Sequence, residues 1–497
     1  MGLEIFSEHQ IVWGIFGLIA AILLWMLIED LTQKTHAIRH NYPIIGRFRY
    51  LFERLGEYFR QYFFAQDREE LPFNRATRSW VYRTSKGLGG LLGFGSTNDL
   101  RQTGSILFVN AAYPLLDEEC TDVPPLVIGE QCEHPFHATS LFNISGMSYG
   151  AISKPAVRAL ARGAKQAGIW MNTGEGGMSP YHQEAGCDLI YQIGTAKYGV
   201  RDIMGNLSDE KLREASPFVK AFEIKLSQGA KPGRGGVLPA LKVTKEIARI
   251  RGIPVGKVSS SPNRHVEIDN ADDLLDMVCQ VRDVTGRPVG IKTAIGSEFF
   301  MEDLCEAILR RGVDCAPDFI TVDGGEGGSG AAPQLLADHV SLPIAEALPM
   351  TVDTLMAYGL KERIRVIASG KMVHSAKVAW ALCVGADFVV SARGFMFALG
   401  CVQSLQCHKD TCPTGITTHN KWRQRGLVVE DKAKRVAQYA HWVNYEVNVL
   451  AHACGLTHAS EFRREHVRLV QSAGKSLPLH ELYPYRDVKH VVFKAGA

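Results

Sequence analysis

Eight short apolar runs alternating with helical patterns, several of them followed by glycine-rich turns, constrain this 497-residue chain more than any other feature. The runs lie near Leu141–Ser145, Ile169–Asn172, Ala221–Leu226, Gly256–Ser260, Pro288–Thr293, Asp318–Val322, Arg365–Ala368 and Asp387–Ser391. Their length and composition suit strands buried on both faces. Helical patterns intervene. Pro155–Gly168 opens with proline after Ser153 and Lys154, Ala271–Thr285 follows Asp269 and stops at Gly286, and Val373–Gly385 is a third. Eight strands, each followed by a helix, predict an α/β fold of the (β/α)8 TIM-barrel type. The alternative is an open doubly wound sheet, which concentrates its glycine-rich turn after the first strand. Here such turns recur after several strands, which favours the barrel.

Composition is ordinary for a globular chain, with 46% apolar and 22% charged residues, so a wholly disordered or fibrous chain is excluded. A net charge of +3 gives no global field for nucleic acid. The charge is uneven, however. Leu31 to Lys86 holds 11 Lys/Arg against 5 Asp/Glu, so the remainder carries a small negative charge. Before that segment, Ile11 to Ile28 is 18 residues without a charge. As a helix it spans about 27 Å at ~1.5 Å per residue, roughly one hydrocarbon core. Trp13 and Trp25 lie near its ends. The flank before it contains Glu4 and Glu8 but no Lys or Arg, which fits a cleaved signal poorly. Lys34, Arg39, Arg47 and Arg49 follow it. The positive-inside rule then makes it a single N-terminal membrane anchor with a cytoplasmic body. The aromatic and basic stretch from Tyr50 either lies along the bilayer surface or packs against the body.

The resulting division is 1–30 anchor, 31–125 basic and aromatic adaptor, 126–420 barrel with a cysteine loop, and 421–497 helical extension. In the extension, Val436, Tyr439, Trp442, Val443, Val447 and Leu450 recur at helical spacing between Glu430 and Cys454. That pattern reads as a packing helix.

Six motifs carry chemistry. NTGEGG (Asn172–Gly177) sets Glu175 among glycines, either as a hydrogen-bond acceptor for a ligand amine or as a solvated turn residue. EIKLSQGAKPGRGGVLPALK (Glu223–Lys242) gathers Lys225, Lys231, Arg234 and Lys242 around four glycines, which suits a dicarboxylate or phosphate. Lys292 interrupts the apolar strand VGIKTA (Val289–Ala294), and a lysine buried there needs an anionic partner. In a flavin barrel that partner is the N1–C2=O edge of the reduced ring. DGGEGGSGAAP (Asp323–Pro333) lets a flat ligand approach the backbone. SGK (Ser369–Lys371) and SARG (Ser391–Gly394) follow strands seven and eight, where barrels commonly bind phosphate. CVQSLQCHKDTCPTG (Cys401–Gly415) spaces three cysteines as C-x₅-C-x₄-C. Eleven cysteines without a paired framework, in a reducing compartment, point to metal chemistry at this cluster. An iron–sulfur cluster fits the gaps better than zinc, for which His408 would be the fourth ligand; structural thiols without metal are the remaining alternative.

Taken in order, SGMSYGAISKPA, NTGEGG, EIKLSQGAKPGRGG, the Lys292 strand, EGGSGAAP and the three cysteines resemble the FMN-binding synthase domain of glutamate synthases over about Asn143–His419. With LPFNR…RSWVY at Leu71–Tyr82 the chain is similar to the stand-alone, membrane-anchored form. The resemblance implies FMN and a 3Fe–4S cluster ligated by Cys401, Cys407 and Cys412. It implies Gly146, Met147, Ser148, Gly327, Gly328, Ser369, Gly370, Ala392 and Arg393 around FMN. It places Glu175, Lys225, Gln228, Lys231 and Lys292 at the chemistry. The implied reaction is reductive amination of 2-oxoglutarate by ammonia to L-glutamate, with electrons from a separate donor.

Four departures qualify this. Met1-Gly2 replaces the catalytic N-terminal cysteine of a glutaminase domain, so glutamine hydrolysis is not expected, and no G-x-G-x-x-G follows a strand. Lys371 stands where the second glycine of an xGG turn is usual. Arg234 replaces an acidic residue in the PGEGG loop. The alternatives left open are an FMN oxidoreductase for a different amine or oxo-acid, and a membrane electron-transfer module without its own substrate.

Overall fold

The computed structural model describes residues 8–91 and 93–488; the Met1-Gly2 start, Glu4 and the end of the 421–497 extension fall outside them. The chain divides into two units, one up to Arg78 and one from Ser79.

In the first unit α1 (Glu8–Thr32) contains the uncharged run and extends it at both ends, free of proline and rich in Leu, Ile and Ala. It is long and apolar enough to cross a membrane. A short α2 (Ala37–Asn41) leads into α3 (Gly46–Phe59), which continues as a π-helical turn over Arg60–Phe64.

The second unit is built on a closed, all-parallel barrel. Its strands are β1 (Phe142–Ile144), β2 (Met171–Asn172), β3 (Leu189–Ile193), β4 (Ala221–Lys225), β5 (Val289–Thr293), β6 (Phe319–Asp323), β7 (Arg365–Ser369) and β8 (Phe388–Ser391). They pair in chain order, and β8 closes on β1. Seven of the predicted runs are barrel strands. Gly256–Ser260 is not: Ser259–Ser260 pairs antiparallel with Val237–Leu238, and Val255 and Val258 face solvent. The missing strand is β3, where polar Gln192 donates to buried Glu223 and Tyr191 donates to the Tyr198 carbonyl. Its polar residues have partners inside the protein, which hydropathy alone does not reveal. The basic glycine loop therefore leaves the fourth strand rather than the third.

The helices follow their local signals. α4 (Lys154–Ala167) is capped by Ser153 and ends at left-handed Gly168, and α5 (Ala271–Thr285) is capped by Asn270 and ends at Gly286. α6 (Ser375–Val384) follows β7, and α7 (Arg393–Leu399) follows β8. The predicted packing helix, α8 (Val429–Ala453), buries Val436, Tyr439, Val443 and Val447. The Tyr439 ring meets Phe142 of β1 and Phe395 of α7, and its hydroxyl donates to the Val373 carbonyl. At Gly394 a Cβ would lie 2.0 Å from the Tyr439 oxygen, so the turn after β8 needs glycine against this helix. Beyond α8, Val467–Val470 joins Ile106–Phe108 and Ser476–Pro478 in a small antiparallel sheet.

Arg464 fastens this C-terminal layer. It is fully buried and donates to Asp353 at 2.5 Å and to the carbonyls of Tyr483 and Val384. Arg464→Ala strands a buried carboxylate, and we expect a loss of about 3–5 kcal/mol. Chemical denaturation followed by circular dichroism measures this; an unchanged midpoint would contradict the assignment.

Candidate active site

A buried carboxylate forms the floor of the site. Glu223, on β4 and 3% exposed, accepts hydrogen bonds from Asn172 of β2 (2.8 Å), Gln192 of β3 (2.5 Å) and Thr321 of β6 (2.7 Å). Two residues further along β4, Lys225 stands in register beside Lys292 of β5. In-register neighbours on parallel strands point to the same face, so two ammonium groups share one patch of the barrel mouth.

Only one of them is matched by a carboxylate. Lys225 lies 3.0 Å from Glu175, which also faces Lys231 at 3.6 Å, and Lys225 donates to Gln228. Burial, the largest influence on Glu175, favours its neutral form. Lys225, Lys231 and Arg251 together outweigh burial and bring the carboxyl down to about 2. Burial likewise holds Lys231 below the ordinary lysine value. Lys292 is 6% exposed and lies 3.5 Å from the Ser145 hydroxyl, with no ion pair among the described residues.

Above these groups opens a cavity of about 1000 Å³, and beside it one of about 510 Å³; they share Gly146, Lys225, Gln228, Gly328, Ala392 and Arg393 as walls. Met147, Ser148, Glu175 and Lys231 line the larger cavity. Lys292, Gly327, Ser369 and Gly370 line the smaller. Every residue expected at FMN or at the chemistry therefore borders one elongated cleft. Asp323 ties its turns together, accepting from the Ser369 hydroxyl (2.7 Å) and the Gly229 N–H (2.9 Å). Arg393 donates to the Ser329 carbonyl. Lys371 has φ +49°, a left-handed conformation that a glycine would adopt without strain. Arg234 lies exposed beside Glu175 and Lys231 in a smaller recess.

The larger cavity also exposes residues that the motifs do not mark. Arg251 ends the short helix Lys245–Arg251, where a basic residue is ordinary, yet it is 6% exposed. It stacks on Tyr198 (5.1 Å) and donates to the Tyr149 carbonyl, while its Nε has no partner among the described residues. Five cationic side chains, Lys225, Lys231, Lys242, Arg251 and Arg393, line this cavity against the single carboxylate of Glu175.

The three predicted cluster cysteines occupy one irregular loop after α7. Gln403, Leu405 and Asp410 all have positive φ there. Cys407 and His408 border the larger cavity. Burial, with Cys407 and Cys412 nearby, pushes the Cys401 thiol up to about 11. Lys242, 2% exposed, donates to the carbonyls of Cys407 (2.8 Å), Thr417 (2.5 Å) and Ala151 (3.2 Å), pinning both limbs of the loop to the turn after β1. Tyr82, from the RSWVY motif, donates to the Cys401 carbonyl. Among the described residues no three His, Cys, Asp or Glu side chains converge on a metal-sized site.

Residues 98–457 match the family model of the conserved region in glutamate synthase. The glutamate synthase large subunit-like protein YerD of Bacillus subtilis (strain 168) is 39% identical, covering 94% of this chain and 96% of its own. A glutamate synthase large subunit-like protein of Rhizobium meliloti (strain 1021) is 28% identical over 80% of this chain and 91% of its own. The archaeal glutamate synthase [NADPH] of Methanocaldococcus jannaschii is 35% identical over 66% of this chain, which matches 61% of that relative's length.

The depressed value of Glu175 has a pH signature. Stabilisation by the Lys225–Glu175–Lys231 group is complete above the ordinary carboxyl value of 4.5 and lost as pH falls towards about 2. Glu175→Gln should therefore lower the thermal midpoint at neutral pH, and the gap to the unsubstituted protein should close in acid. A gap that stays constant from pH 7 down to the acid limb would refute the pairing.

Proposed function

The chain belongs to the glutamate synthase family, whose members are oxidoreductases acting on CH–NH2 donors, and we propose that it uses FMN to aminate 2-oxoglutarate reductively with ammonia. The observation that carries this reading is the charge of the cleft: five cations facing one carboxylate, with Lys292 buried beside them and matched by no anion among the described residues. A dicarboxylic oxo-acid and an anionic ring supply the missing charge.

The residues fit FMN by this charge and by the glycines of their turns. Gly327 and Gly328 would let a flat ring approach closely, Lys292 would meet its electron-rich edge, and the Ser369–Lys371 and Ser391–Gly394 turns would hold its phosphate by backbone N–H groups. When bound, FMN supplies the hydride that reduces a C=N bond.

Lys225, Lys231 and Arg251 hold the substrate carboxylates. 2-Oxoglutarate and ammonia condense to the imine with loss of water; hydride added to carbon and a proton to nitrogen complete L-glutamate. Glu175, kept ionised by its lysines, acts as acceptor for the imine N–H and cannot serve as the acid near neutral pH. Lys231, with its lowered affinity for the proton, is the better placed donor. Exposed Arg234 at the mouth favours acidic oxo-acids and leaves room for a substrate other than 2-oxoglutarate.

The 3Fe–4S cluster is inferred from the chemistry of the donor set alone: Cys401, Cys407 and Cys412 share one loop, and the buried Lys242 ammonium, bonded to the Cys407 carbonyl, would offset thiolate charge, although the three thiols do not converge among the described residues. A cluster held by these thiols would take electrons from a separate donor; in this reading α1 anchors the chain in the membrane, and the barrel faces the cytoplasm.

Full-length protein in detergent, supplied with a reduced viologen, ammonia and 2-oxoglutarate, should form glutamate. Turnover only of other oxo-acids in a panel would replace the substrate, and turnover of none would leave an electron-transfer module. Cys407→Ser should lose cluster iron and at least tenfold in donor-driven rate while circular dichroism stays unchanged. Iron retained in full would contradict the ligand set.

A further inference from the structure

We propose that α3 and its π-helical continuation form a foot lying in the headgroup layer of an anionic membrane leaflet, held there by a salt-bridged elbow at the end of α1. The inference rests on the reading of α1 as a membrane span. It adds a second, in-plane contact with lipid.

The elbow is built on Asp30, which is fully buried. It accepts from Arg39 Nε (2.7 Å), Arg47 Nε (2.8 Å) and the Ile44 N–H (2.9 Å). Glu29 accepts from Nη2 of Arg39 and of Arg47 at 2.9 and 2.8 Å. Arg47 also sits over the Trp25 ring, at 5.9 Å. Close packing completes the bend: a Cβ on Gly46 would lie 2.7 Å from the Ile38 carbonyl oxygen. Two carboxylates at the end of an apolar helix thus bind two arginines of the following segment and fix where α3 begins.

From that point one face of the helix is apolar and open. Ile45, Phe48, Phe52, Phe59 and Phe63 recur at intervals that return to the same side of a 3.6-residue helix. Ile45, Phe52 and Phe63 are 73%, 63% and 75% exposed; Phe48 stacks on Phe52, and the Phe59 and Phe63 rings meet at a tilt, 5.6 Å apart. A contiguous aromatic ladder of this kind in water is unfavourable. Arg49 and Arg60 flank it, while Arg54 lies on the far side of the helix, against Glu53 and Glu57. Aromatic rings on one side and arginines around them match the interface of a leaflet rich in acidic phospholipid. Continuity with α1 selects lipid over a protein partner, because the helix that leaves the bilayer delivers this face directly to its surface.

The test uses the full chain in nanodiscs. Benzophenone-bearing phenylalanine is introduced singly at Leu18, Phe52, Phe63 or Glu57, and lipid adducts after illumination are counted by mass spectrometry. In discs containing phosphatidylglycerol, Leu18, Phe52 and Phe63 should cross-link lipid, and Glu57, off the stripe, at least tenfold less. In phosphatidylcholine discs the Phe52 and Phe63 adducts should fall several-fold while Leu18 holds. Asp30→Ala should reduce the Phe63 adduct and leave Leu18 unchanged. Adducts at Leu18 without any at Phe52 or Phe63, or cross-links from those positions to another protein chain, would overturn the foot and leave the span. Loss of the Leu18 adduct itself would overturn the span. A Phe63 adduct indifferent to Asp30→Ala would remove the elbow.

Discussion

Two lysines stand side by side on adjacent parallel strands, and the arrangement of the site follows from how their charge is met. Lys225 is answered by Glu175, which reaches across from the turn after β2. Lys292 is answered by no carboxylate among the described residues. Burying an ammonium group is costly unless an anion or hydrogen-bond acceptors surround it. On the reading proposed above, Lys292, held at 6% exposure with no carboxylate partner among the described residues, awaits the charge of a bound anion. The floor under the lysines is Glu223, whose three partners come from three other strands. The direct pairing of β4 with β5, Glu223 beside Gly290 and Lys225 beside Lys292, sets the register in which the two lysines meet.

Closure of the barrel turns this local pairing into a cleft. With eight parallel strands, every turn after a strand emerges at one rim, so glycine-rich segments far apart in the chain face each other. The rest of the chain supports that rim. Tyr439 of the packing helix presses against Gly394, Lys242 fastens the cysteine loop, and Asp323 joins three turns. Lys371, in a left-handed conformation, marks the place where this chain departs from a glycine turn.

The motifs made most of this legible, because glycine spacing and a charge within an apolar strand are local signals. Lys292 stands out for that reason, as do the turns at Asn172–Gly177 and Asp323–Pro333. β3 was not legible. Gln192 occupies a barrel position where an apolar residue is expected, and only the distant Glu223 explains it. The reverse holds at Gly256–Ser260, where Val258, like Val255 just before it, is apolar but exposed, a property set by tertiary position. Arg251 escaped notice because its role depends on Tyr198 and Glu175, both more than fifty residues away in sequence. The elbow at Asp30 was also hidden. Its carboxylates read as the ordinary end of an apolar run until the helices that follow fold back on them.

On this reading Lys292 is the protein's counter-charge for a bound anionic flavin. FMN titration of flavin-depleted, full-length protein, followed by flavin fluorescence and absorbance in the oxidised and dithionite-reduced states, tests it most directly. The unsubstituted protein should bind FMN in both states. Lys292→Met should weaken binding at least tenfold, and more for the reduced form, whose ring carries the negative charge. Equal affinities of the two proteins in both states, or no FMN binding by either, would contradict the account.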